Sequence, residues 1–267
     1  MVDAHHHLWD PARRVYPWLT GLAAIQRRYT LDDLRAAAGP EVTATVLVQT
    51  VSSVAETAEF LATARESGGL VVGVIGWVDL SAADLRVPDG PLVGVRHQVE
   101  DEPDPDWLLR PDVGRGLRRL AGAGLVYDLL VRAAQRDAAL AVARQVPELA
   151  FVLDHAGKPG IAGGEWEPWA SWVTELARLP NVTCKLSGLV TEASWSSWAV
   201  ADIRPYAEHV LDRFGADRVM FGSDWPVCEL AGGYRAVRAL TAELLAGASA
   251  AERAAVLGGT ATRVYLS

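Results

Sequence analysis

Residues Met1–Asp10 read MVDAHHHLWD, and the spacing predicts a β-strand over Met1–His7. Successive side chains on a strand alternate between faces, so His5 and His7 point one way and His6 the other. Two imidazoles side by side can hold a metal ion or hydrogen-bond an oxyanion. Val2-Asp3 before the run and Leu8-Trp9-Asp10 after it continue a native pattern, which sets the run apart from an expression tag. Clustered imidazoles are costly to bury unless they are used.

Outward from this strand, short apolar runs alternate with longer amphipathic ones. Strand-like runs cover Ala44–Gln49, Leu70–Val78, Leu92–His97, Leu125–Val131, Leu149–His155, Val182–Ser187 and Arg218–Gly222. Ser53 and Glu56 form a capping-box pattern that opens a helix ending near Gly68-Gly69. Further helical patterns cover Asp106–Ala121, Arg132–Val146, Trp166–Leu179, Ile203–Phe214 and Tyr234–Leu245. Strand–helix alternation is the signature of a parallel sheet, and near-continuous apolar strands fit one buried on both faces. Eight strands favour a (β/α)8 TIM barrel, with room for distortion, over an open doubly wound sheet. No G-x-G-x-x-G and no P-loop supports a nucleotide fold. The chain has 267 residues, a usual length for one barrel domain over 1–267.

Composition narrows the function classes. The net charge is -8, which argues against nucleic acid and an anionic membrane surface as partners. No apolar stretch is long enough to span a bilayer, and the N-terminus lacks a signal-peptide pattern. Cys184 and Cys228 are the only cysteines, so a reducing, cytoplasmic setting is expected and both thiols read as packing residues.

Barrel enzymes carry their chemistry at the C-terminal ends of the strands. The sixth strand ends Asp154-His155-Ala156-Gly157-Lys158-Pro159 and supplies a third imidazole. The eighth ends Phe221-Gly222-Ser223-Asp224-Trp225-Pro226, placing the Asp224 carboxylate at the barrel mouth as a general base or metal ligand. Arg96 ends the fourth strand, Lys185 the seventh, and Lys158 follows the sixth. Such cations suit a polar or anionic substrate, or pair with Asp128, Asp79 or Glu100. One of Tyr127 and Asp128 faces inward, and alternation alone does not say which. Gln49 and Trp77 sit at strand ends and could line a pocket. Trp166, Trp169 and Trp172 read as helix packing.

The ordered set Asp3-x-His5-x-His7, His155 and Gly222-Ser223-Asp224-Trp225-Pro226 resembles the amidohydrolase superfamily (amidohydrolase-related family 2). Within it the chain is similar to the sugar-lactonase branch of fuconolactonase-, rhamnonolactonase- and pyrone-dicarboxylate-lactonase-like enzymes. The likeness runs through DAHHHLWDP, YPWL, VGVRHQVEDEPDPDWLLRPDV, GLVYDLL, FVLDHAGKP, NVTCKLSGLVTEA and FGSDWPV. It implies a (β/α)8 barrel that opens a small-molecule sugar lactone with water. It further implies Asp224 as general base, with His5, His7 and His155 around the carbonyl or a metal. Arg96, Tyr127, Asp128, Lys158 and Lys185 would then bind the substrate. The pattern departs from binuclear members: no lysine ends the fourth strand, and the fifth ends Tyr127-Asp128 rather than in histidine. The resemblance therefore implies one divalent metal, zinc first, held by His5, His7, His155 and Asp224, or none. A metal-dependent decarboxylase of the same superfamily is the alternative reading.

Overall fold

The computed structural model describes residues 1–267. Eight parallel strands follow one another around a barrel in sequence order. They are β1 (Val2–His6), β2 (Ala44–Val48), β3 (Val71–Gly76), β4 (Leu92–His97), β5 (Val126–Leu129), β6 (Phe151–Leu153), β7 (Val182–Leu186) and β8 (Val219–Phe221). Helices α1 (Leu31–Ala38), α2 (Val54–Glu66), α3 (Pro111–Gly122), α4 (Arg136–Gln145) and α5 (Trp169–Ala177) cover the outside. The short α6 (Leu189–Glu192), then α7 (Val200–Phe214), α8 (Gly233–Leu244), α9 (Ala250–Ala254) and α10 (Thr260–Tyr265) complete the chain. No helix is long and apolar enough to cross a membrane.

Local signals explain the helix starts. Thr30 and Asp33 cap α1 reciprocally, each side chain taking the other's backbone N–H. At α2 only half of the expected box forms. Ser53 accepts from the Glu56 N–H, while the Glu56 carboxylate turns inward to take the N–H groups of Thr50 and Val51. Glu56 thereby braces the loop after β2 rather than its own helix.

The barrel is distorted in two places. No helix follows β3; residues 77–91 form a loop over the barrel wall. Closure of β8 onto β1 comes from the chain just beyond β8, where His6 pairs with Trp225 and the His7 N–H donates to the Trp225 carbonyl at 2.7 Å. The closing seam thus lies at the C-terminal mouth, where the histidines are.

The interior is layered along the barrel axis. Sixty-seven buried apolar residues form the main hydrophobic core. A separate cluster of nine includes Ala4, Val46, Val48, Ile75, Val126, Val152 and Met220, together with Ala261 and Tyr265 of α10. The C-terminal helix therefore packs with strand residues that include the N-terminal half of β1. Farther along the strands the residues are polar: Asp128, Asp154 and Lys185 are fully buried, and Arg96 nearly so.

Where β3 lacks its helix, α3 packs against the loop. A Cβ on Gly116 would stand 2.3 Å from the Leu80 carbonyl oxygen, so only glycine permits the contact. Overpacking of this kind costs about 1–3 kcal/mol. Gly116→Ala is expected to lower the melting temperature by several degrees in thermal unfolding; an unchanged Tm would show that α3 can move off the loop freely.

Candidate active site

β1 delivers His5 and His7 to one side and His6 to the other. The His5 and His7 Nε2 atoms lie 3.1 Å apart, whereas His6 Nε2 lies 2.9 Å from Thr45 Oγ1. Asp224 is held by the barrel closure, its N–H donating to the His5 carbonyl at 2.8 Å. His155 leaves β6 in a left-handed turn (φ 53°), and Asp224 also has positive φ (55°). Non-glycine residues adopt this region at a cost of about 1–3 kcal/mol each and keep it only where the surroundings enforce it. Gly188, itself at φ 65°, lets β7 approach: a Cβ there would lie 2.5 Å from His155 Nδ1.

The result is a compact cluster. Asp224 Oδ1 stands 3.5 Å from His7 Nε2, 3.8 Å from His5 Nε2 and 3.9 Å from His155 Nε2. Each imidazole has a partner at Nδ1: the Val48 carbonyl for His7 at 2.8 Å, Ser187 Oγ for His155 at 2.9 Å, and Lys185 Nζ for His5 at 3.2 Å. His7, His155, Asp224 and Arg96 open into a cavity of about 400 Å³ at the barrel mouth. Leu22, Leu130, Trp18 and Trp195 supply apolar surface in its wall. A larger groove of about 610 Å³ between the loop after β1 and α2 touches none of the cluster.

A family model described as "Amidohydrolase" matches residues 2–266. The chain belongs to the amidohydrolase family. It is 38% identical to an L-fucono-1,5-lactonase of Burkholderia multivorans over 99% of this chain and 95% of that relative. An L-fucono-1,5-lactonase of Burkholderia ambifaria is 39% identical over 86% of this chain and 82% of its own. A crystal structure of a Burkholderia multivorans amidohydrolase with bound zinc superposes with a TM-score of 0.91 at 38% identity, covering 99% of this chain and 98% of the other.

Burial sets the protonation states in this amidohydrolase. It holds His5 well below its ordinary value, with Asp154 opposing and Lys185 reinforcing the shift. It also takes His155 down to about 4 and His6 to about 3. For Asp224, burial pushes upward, but His155 and His7 outweigh it and the carboxyl stays below its usual range. At neutral pH the cluster is thus an ionised carboxylate among imidazoles, of which His5 and His155 are neutral.

The donor set fits a single metal ion. His5, His155 and Asp224 offer ligand atoms within 4.8 Å of one another, all buried. A tetrahedral ion with bonds near 2.0–2.1 Å needs ligand spacings of about 3.3 Å; the His5–His7 spacing and the three from Asp224 to the imidazoles run from 3.1 to 3.9 Å. A carbonyl can only accept, so His7 donates from Nδ1, and its Nε2 faces His5 Nε2. The gap between those two nitrogens calls for either a hydrogen or a cation. The Val48 carbonyl at His7 Nδ1, and the Asp154 carboxylate 3.3 Å from His5 Nδ1, are acceptors of the kind that orient metal-ligating imidazoles.

The other sequence candidates divide. Arg96 and Lys158 line the cavity, Lys158 being paired with Glu100. Tyr127 does not: it faces outward from β5 into the helix layer, its ring edge-on to Phe151. Asp128 is the inward partner, and it sits with Lys185 below the cavity floor, both fully buried. Gln49 also stays out of the cavity, where it positions Arg96 by accepting from its guanidinium through the backbone carbonyl at 2.6 Å and Oε1 at 3.0 Å. Trp77 is turned away as well, donating to His97 Nδ1 at 2.9 Å.

Two carboxylates quoted in the sequence motifs, Asp154 and Asp3, had no role assigned to them there. Asp154 receives Arg96 Nη1 at 2.9 Å and lies 3.0 Å from Lys185 Nζ. Burial pushes its carboxyl upward, but Lys185, His5 and Arg96 more than offset this and hold it well below the usual range. Asp3 accepts from the N–H groups of His5 (3.1 Å) and Ser223 (2.8 Å) and from the Tyr234 hydroxyl (2.9 Å), tying β1 to the turn that carries Asp224. Strand alternation could have found Asp154, two residues beyond the inward Val152.

Removing one partner from a buried ion pair leaves the other charge uncompensated, at about 3–5 kcal/mol. Lys185→Met would strand Asp128 and Asp154 together. Denaturant unfolding is expected to show a loss of that size, and a loss under about 1 kcal/mol would mean that the two carboxyls simply take up protons.

Proposed function

We propose that this protein hydrolyses a small sugar lactone, an aldonolactone, to its sugar acid, with L-fucono-1,5-lactone the first substrate to try. The observation that carries the reading is the ring of imidazole Nε2 atoms 3.5–3.9 Å from an ionised carboxylate at the floor of a polar cavity. The names of the two Burkholderia relatives point the same way.

A lactone is a cyclic ester. Its opening needs an activated water, a stabiliser for the carbonyl oxyanion, and a proton for the departing ring oxygen. Asp224 takes the proton from water, and the water oxygen attacks the carbonyl carbon. The imidazoles of His5, His7 and His155 and the Arg96 guanidinium face the negative charge that develops on the carbonyl oxygen. Loss of one such stabiliser typically costs on the order of 10²–10³ in rate. The C–O bond to the ring oxygen then breaks, and Asp224 returns its proton to that alkoxide. Arg96 and Lys158 are the substrate-binding groups in this scheme. Gln49 and Asp154 hold Arg96, while Lys185 and Asp128 lie beneath His5.

His5, His7, His155 and Asp224 would hold a metal, and zinc suits a set of three imidazoles and one carboxylate. Such an ion adds Lewis acidity at the ester carbonyl. The same groups without it still supply a base and hydrogen-bonding partners for the oxyanion.

Asp224→Asn is expected to fold normally by circular dichroism and to lose at least about 10³-fold in kcat for lactone hydrolysis, followed by acid release in a pH-indicator assay. A near-wild-type rate would remove Asp224 from the mechanism. Elemental analysis of the two proteins is expected to find zinc in the wild type and little in Asp224→Asn; equal zinc in both would place the ion elsewhere. Carbon dioxide release from aromatic or enol acids, with no acid from any lactone, would decide for a decarboxylase.

A further inference from the structure

Four successive segments that follow strands place charge in the cavity wall. They are the segments after β4 to β7, and the charges are Glu100 (with Asp101 beside it), Arg132, Lys158 and Glu192 at the end of α6. Lys158 Nζ donates to both carboxylate oxygens of Glu100, at 2.8 and 2.6 Å. Arg132 Nε lies 3.1 Å from Glu100 Oε2, and its Nη1 lies 3.5 Å from Glu192 Oε2. Deeper in, Arg96 is committed to Asp154.

Every cation that lines this cavity therefore already has a carboxylate partner. With Asp101 and Asp224 included, the wall carries four carboxylates against three cations. Burial would raise the Glu100 carboxyl, but Lys158 and Arg132 hold it below the usual range, so it is ionised at neutral pH. The Glu100 and Lys158 side chains are only 14% and 12% exposed, so solvent screens their pairing poorly.

We propose that Glu100 makes the cavity discriminate against carboxylates, admitting a neutral lactone and releasing the sugar-acid anion that hydrolysis leaves. This rests on the lactonase reading above. Water adds across the ester, the ring oxygen leaves as a hydroxyl, and the new carboxylic acid ionises to carboxylate and a proton. Substrate and product thus differ by one full negative charge. An unpaired lysine and arginine would grip that charge strongly. Glu100 occupies both cations instead, and the product meets a wall whose cations are already paired.

Glu100→Gln removes the charge, preserves the shape, and frees Lys158 toward the cavity, while Arg132 keeps Glu192. The test is calorimetric titration of wild type and Glu100→Gln, at matched metal content, with L-fuconate and with the uncharged polyol L-fucitol. Inhibition of L-fucono-1,5-lactone hydrolysis by L-fuconate is measured in parallel. Glu100→Gln is expected to bind L-fuconate at least about tenfold more tightly than wild type, to lose most of that gain in high salt, and to leave L-fucitol affinity within about threefold. The proposal is overturned if L-fuconate affinity does not rise, or if both ligands gain equally. Should Glu100→Gln not fold, the wild type alone decides: tighter binding of L-fuconate than of L-fucitol at low salt overturns the proposal, and weaker binding supports it. Failure to open any lactone would sink the lactonase reading, while the titrations, which need no turnover, would still report on Glu100.

Discussion

Asp154, fully buried where β6 ends, is flanked by Arg96, Lys185 and His5, and the geometry of the mouth depends on that grouping. An isolated carboxylate at this depth would take up a proton. Two cations keep it ionised, and in return it fixes their positions. Lys185 reaches Asp128 on one side and His5 Nδ1 on the other, and Asp128 is held from below by the Tyr265 hydroxyl at 2.8 Å. A chain of contacts therefore runs from the last helix of the protein through the barrel interior to the first histidine. His5 is buried, neutral and constrained at Nδ1, so its Nε2 is left to face the mouth. The arrangement adds little net stability, because desolvation offsets much of the Coulomb attraction. Its effect is on position: a ring held from behind by charged partners has few alternative rotamers.

The backbone supplies a second constraint. His155 and Asp224 both occupy left-handed conformations that non-glycine residues avoid. Asp224 is further pinned by its N–H bond to the His5 carbonyl, and Asp3 bonds to the neighbouring Ser223. The turn that closes the barrel is thus the turn that aims the carboxylate. Closing the barrel at the mouth rather than along the whole of β8 couples fold integrity to site geometry, since the seam cannot open without moving Asp224 away from His5 and His7. Strain stored in such a turn persists only because the surrounding bonds over-determine it.

The sequence made the barrel legible because its strands are short, β-branched and separated by amphipathic stretches, and because most strand ends carry a polar residue. His5, His7, His155 and Asp224 were legible for the same reason: they sit just where apolar strands stop. Period-two alternation also separated His6 from its neighbours. What stayed hidden depends on distance in space. Tyr127 and Asp128 have equal claims until the strand is turned about its axis, and the structure gives the inside to Asp128. Lys185 and Gln49 read as substrate ligands because they are polar at strand ends, yet each is taken up by a neighbouring buried group. Asp154 was masked by standing beside a histidine. The half-formed cap at Ser53 shows the same limit, since nothing local says that Glu56 will turn away from its own helix toward Thr50.

Strand-borne and loop-borne groups also divide the work of the mouth. The base, the imidazoles and Arg96 come from strands or the residues directly after them, and the buried ionic layer backs them. Glu100, Arg132 and Lys158 come from the loops and Glu192 from the end of α6; their ion pairs are only with one another, and none bonds to His5, His7 or Asp224. A change in one loop charge alters what the wall attracts while the ionic layer below stays intact. A change in the ionic layer disturbs the reacting groups directly, because His5 and Arg96 belong to both. Discrimination between ligands can therefore shift through the loops without rebuilding the site. The chemistry is tied to the barrel itself, and through Tyr265 and Asp128 to the helix at the end of the chain.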